Sequence, residues 1–100
     1  MPPPLHAPRI ETVSTLSQYN GHRCTKTVAS ALDAYGVSPD AIDDVFYTPR
    51  RDGQGRDLGF NAWMEPANQT GYMVVDVDPS CQFEQAYTRG GASFPGVPSF

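Results

Sequence analysis

The chain has 100 residues, enough for one small domain that buries about two-thirds of the surface its unfolded form exposes. It is 39% hydrophobic and 18% charged, an ordinary balance for a folded domain and a poor one for a disordered chain. The net charge of −4 argues against nucleic acid or an anionic membrane as the main partner, and no apolar run approaches the length of a membrane span.

Nine glycines and ten prolines mark long loops or tails around a compact core. Pro2, Pro3, Pro4 and Pro8 make residues 1–8 an extended arm close to polyproline II. This segment has neither a basic n-region nor an apolar h-region, so it does not read as a secretory signal, and cytoplasmic residence is the default expectation. On the same ground Asn68-Gln69-Thr70 is not read as a glycosylation site, although it matches the sequon.

Residues 9–24 carry two competing patterns. Ile10, Val13 and Leu16 recur every three residues, as in a helix opened by Pro8. The β-branched Ile10, Thr12, Val13 and Thr15 favour a strand, and the strand reading is preferred. Asn20-Gly21 then serves as a helix stop or a hairpin turn, both of which need a positive φ. Over 25–35, Val28, Leu32 and Tyr35 fall at i, i+4 and i+7, with Thr25 as N-cap and Gly36 just past the end, and this predicts a helix. Ser38-Pro39-Asp40 opens a second, short helix, after which Val37, Ile42 and Val45 fold back onto the first.

The hydrophobic period then changes to two. Val45–Thr48 forms a short strand, and residues 49–57 an exposed polar hairpin loop. Alternating strands follow over 58–65, 72–78 and 81–89, separated by turns at 66–71 and 79–80. The expected fold is α+β, with the helix packed on one face of a three- to four-stranded antiparallel meander. The domain spans 9–89, between the N-terminal arm and an uncharged C-terminal arm over 90–100. The face toward the helix should carry Phe60, Met64, Met73, Val75, Val77, Phe83 and Tyr87 against Val28, Leu32 and Tyr35. Trp63, Tyr72 and Val74 then lie on the opposite face beside Asn61 and Asp76, as a contact surface or under an arm.

Three groups of residues invite a chemical reading. Asp76 and Asp78 share a strand face and could bind a cation or work as an acid/base pair, although no third ligand stands at a fitting spacing. His22 and Cys24 could pair as base and nucleophile, but no orienting residue supports them. Cys24 and Cys81, 57 positions apart, form no metal motif and read as two reduced thiols; a disulfide would need their α-carbons within about 7 Å. No cofactor motif is present. The glycines of Gly53-Gln54-Gly55 complete no phosphate loop.

The leading expectation is a non-enzymatic protein-binding module: an accessory subunit, a structural component or a small regulator that meets a protein partner or its own copies. Its contact residues are Arg50, Arg51 and Arg56 on the hairpin, Trp63 and Tyr72 on the open face, and Phe94 and Phe100 in the C-terminal arm. The alternatives are a small hydrolase-like or metal-dependent enzyme using Asp76/Asp78 or His22/Cys24, and a mildly acidic mimic of nucleic acid.

Overall fold

A computed structural model describes residues 3–99. Helix α1 (Ile10–Asn20) and helix α2 (Thr25–Ala34) come first, followed by a single 3-10 turn (Pro39–Ala41). Four strands then run in sequence order as an antiparallel meander: β1 (Ile42–Arg51), β2 (Asp57–Pro66), β3 (Tyr72–Val77) and β4 (Phe83–Arg89). Both helices pack on one sheet face, the expected α+β architecture with one helix more than the sequence suggested.

The extra helix is α1, where a strand was expected. Its β-branched residues weaken helix propensity by only a few tenths of a kcal/mol each, and tertiary contacts override that. Thr12 and Leu16, one turn apart, are fully buried. The Thr12 hydroxyl donates to Asp33 of α2 at 2.8 Å, and the Arg9 backbone N–H donates to the other carboxylate oxygen at 2.7 Å. Thus a side chain on the second helix satisfies the open N-terminus of the first. Gly21 has φ −67°, so Asn20-Gly21 is neither of the expected positive-φ devices and runs extended instead.

Partial burial of the Asp33 carboxyl works against its charged form. The Arg9 backbone N–H, the Thr12 hydroxyl and the Arg9 guanidinium outweigh that and hold it below its ordinary value of 3.8. A depressed carboxyl contributes stability above its unfolded value and loses it as pH falls through the folded one. Thermal midpoints measured from pH 6 down to about pH 2 should therefore fall more steeply for the native chain than for Asp33→Asn. Parallel curves would refute the role given to Asp33.

Helix α2 ends as the sequence implies. Gly36 adopts φ +71°; its N–H bonds to Asp33 O, and Val37 N–H bonds back to Leu32 O, a Schellman closure. At the other end Thr25 is not the N-cap. Cys24 holds that position, and the Thr25 hydroxyl accepts from His22 N–H. Ser38 caps the 3-10 turn by accepting from Asp40 N–H. Val37, Ile42 and Val45 are buried in the shared core.

Met64, Met73, Val75 and Val77 are wholly buried toward the helices, as expected, while Phe60 and Phe83 pack at the margin. Ala62 and Ala86, both buried, complete that face. Tyr87 is a correction. A register shift between Asp76 and Val77 places Gln85 opposite Asp76 but Phe83 opposite Val77. One extra residue in β4 reverses the alternation, so Ala86 and Thr88 face the core while Tyr87, opposite Val74, faces the other way.

Strand β1 is longer than the expected Val45–Thr48, because it is an edge strand and tolerates Pro49. The Val45 N–H is taken by the Asp44 carboxylate at 2.9 Å. The hairpin loop shrinks accordingly to a turn clasped by Asp52, which accepts from the N–H groups of Gln54 and Arg56. At the far edge the C-terminal segment runs beside β4: Thr88 N–H donates to Pro98 O, and Thr88 forms a parallel bridge with Ser99.

Candidate functional site: the open face of the sheet

The sheet face turned away from the helices is laid out in rows by the strand register. Phe46, Trp63, Val74 and Tyr87 follow one another across the four strands. Phe46 and Trp63 lie nearly parallel, with ring centroids 5.9 Å apart. Tyr72 stands edge-on to both, at 5.7 Å and 5.6 Å. Offset-parallel and edge-on contacts suit the ring quadrupoles and hold the rings as one platform. Val74 has no exposed surface, whereas Phe46 retains 36% of its own.

Beside the aromatic row runs a polar one: Thr48, Asn61, Asp76 and Gln85. The Trp63 indole N–H donates to Thr48 Oγ1 at 2.9 Å. Asp76 is buried and accepts from the side-chain amides of Asn61 and Gln85. The Tyr87 phenol also bonds to this carboxylate; burial raises its pKa, and the Asp76 charge raises it further. Three partners satisfy Asp76, as a buried carboxylate requires.

Asp78 does not work beside Asp76; it closes the β3–β4 turn by accepting from Ser80 and Gln82 N–H groups. Among the described residues no three His, Cys, Asp or Glu side chains gather as a metal site. Cys24 and Cys81 are not reduced thiols but a disulfide, with α-carbons 5.0 Å apart. Chain spacing could not reveal this, because it is the fold that brings the start of α2 to the β3–β4 turn. Cys81 takes φ +65° there, and its carbonyl accepts from Thr27 Oγ1. Cys24 therefore offers no thiolate to His22. The His22 ring stacks on Tyr47 at 4.0 Å, and its Nδ1 accepts from Cys24 N–H. Desolvation and the neighbouring Arg23 lower its pKa.

The three arginines have different surroundings. Arg50 reaches across the sheet to the Val77 carbonyl at 2.9 Å and pairs with Glu84 on β4. Arg56 pairs with Asp52 inside the hairpin turn at 2.6 Å, and Arg51 is exposed at the end of β1. Trp63 and Tyr72 do lie together. Phe94 is half-buried against the helix-side core, away from them, and Phe100 lies outside the described residues. Phe46 and Tyr87 are the members that sequence reasoning missed.

No family model matches this chain, and no curated protein or solved structure matches it either. The open face must therefore be read on its own chemistry. No helix among the described residues is long and apolar enough to cross a membrane.

Several acidic side chains are engaged within the chain. Glu11 and Asp33 pair with Arg9, Asp52 with Arg56 and Glu84 with Arg50, while Asp76 is enclosed by its neighbours.

Proposed function

We propose that the chain is a non-enzymatic protein-binding module, an accessory or structural subunit or a small regulator, that docks through the open face of its sheet. The observation that supports this reading is the aromatic platform of Phe46, Trp63 and Tyr72, which stands on the side of the sheet opposite both helices. Rigid aromatic rings give large contact area for little lost side-chain freedom, and they are enriched at the centres of protein interfaces. The hydrolase and metal-enzyme readings have less support, because each of their residues already has a structural task. Binding to nucleic acid has little support, since Arg50 and Arg56 are neutralised by carboxylates.

The disulfide bears on location. Such bonds persist in oxidising compartments and are rare in the cytosol. The Cys24–Cys81 bond therefore weighs against the cytoplasmic expectation and toward an oxidising environment.

The test compares capture of proteins from the native source by the intact chain, by Phe46→Ala/Tyr72→Ala and by Ile10→Ala. Ile10 is 88% exposed on the helix side and serves as the control. Proteins held by the intact chain and by Ile10→Ala should be lost by the double variant, at a loss of about 2 kcal/mol or more for truncating central aromatic contacts. Equal capture by all three would overturn the reading.

A further inference from the structure

We propose that the open face pairs with the same face of a second copy of this chain, about a twofold axis parallel to the strands. The inference rests on the docking reading above and names the occupant. Next to the aromatic row the register sets a charged one: Asp44 on β1 opposite Glu65 on β2, and Tyr72 on β3 opposite Arg89 on β4. Acid thus stands on one side of the sheet and base on the other. Asp44, Glu65 and Arg89 are exposed, and none of them takes part in an ion pair among the described residues.

The symmetry follows from that layout. An axis parallel to the strands lays β1 of one copy over β4 of the other and keeps every row above itself. The aromatic row then covers the aromatic row, with Phe46 facing Tyr87 of the second copy and Trp63 facing its Val74. In the same operation Asp44 faces Arg89 of the second copy, and the contact occurs twice. An in-plane axis across the strands would instead lay β1 over β1 and β4 over β4, so that Asp44 of one copy could not meet Arg89 of the other. Arg50 and Glu84 neutralise each other within one copy and set no bare charge against the partner. Asp76 likewise has its hydrogen bonds made before association. The result is an isologous contact of two aligned sheets about 10 Å apart, the usual separation of stacked sheets.

Sedimentation equilibrium on the purified chain tests this with charge reversals. The native chain should form a concentration-dependent dimer. Asp44→Arg sets arginine against Arg89 twice, and Arg89→Asp sets aspartate against Asp44 twice, so each variant alone should weaken the dimer about tenfold or more. An equimolar mixture of the two makes both contacts attractive and should recover the native dissociation constant to within about threefold. Circular dichroism checks that these exposed substitutions leave the fold intact. A native chain that stays monomeric up to about 1 mM, or variants that dimerise as the native chain does, would overturn the pairing. The Phe46→Ala/Tyr72→Ala variant separates the two proposals. A monomeric native chain whose captured proteins are lost with that variant overturns self-pairing alone, whereas a dimer indifferent to it overturns self-pairing and, with unchanged capture, the docking reading as well.

Discussion

Replacing Cys24 and Cys81 together by alanine is expected to lower the unfolding free energy by about 4 kcal/mol, the loop-closure entropy of a bond closing a loop of this length. The bond spans 57 residues and joins the start of α2 to the turn between β3 and β4. Without it the unfolded chain gains freedom that the folded chain cannot match. A small domain has about 5–15 kcal/mol of net stability, so the loss takes a large part of the whole. Urea unfolding of the native chain, with and without a reducing agent, provides the same comparison without mutation. Midpoints that agree between oxidised and reduced protein would show that the bond contributes little.

The second large effect is expected at Gly59. Its φ is +113°, and a β-carbon built there would lie 1.9 Å from the Val77 carbonyl oxygen and 2.8 Å from the α-carbon of Asp78. Both atoms are backbone, so neither can swing aside, and β2 would have to separate from β3 at the point that Arg50 spans. Gly36 provides the control: its φ is +71°, but a β-carbon would meet nothing within 4 Å. Gly36→Ala should lose about 1–2 kcal/mol, the penalty of a left-handed backbone for an L-residue. Gly59→Ala should lose that amount and the clash, about 3 kcal/mol or more in total. Equal losses in chemical denaturation would mean that the β2–β3 contact yields more easily than the geometry implies.

What could be read in advance follows from the range of the interaction responsible. Helix α2 was legible because Val28, Leu32 and Tyr35 repeat within the element and Gly36 ends it locally. Strands β2 and β3 were legible because Met64, Met73, Val75 and Val77 alternate without interruption. The Trp63–Tyr72 half of the open face followed from the same alternation. Helix α1 was hidden because its cap comes from Asp33, 21 residues beyond Thr12. Tyr87 was assigned to the core because a single bulge reverses the parity of β4, and nothing in the local sequence around Glu84 marks it. Phe46 lay inside the expected Val45–Thr48 strand, but its side of the sheet follows from its pairing with Trp63, which those four residues alone do not fix. The disulfide depended on the whole fold, since only closure of the β3–β4 turn over α2 brings the two sulfurs into range.

The two flanks of the sheet limit how copies of this protein can add to one another. On one flank, Pro49 has no hydrogen to offer and the Val45 N–H is already taken by Asp44. On the other, Pro98 and Ser99 occupy the Thr88 position that an incoming strand would use. Ribbon-like growth, in which each molecule extends the sheet of the next without end, is therefore obstructed at both sides. The face-to-face pairing proposed above uses neither edge, and a twofold axis would close it at two copies.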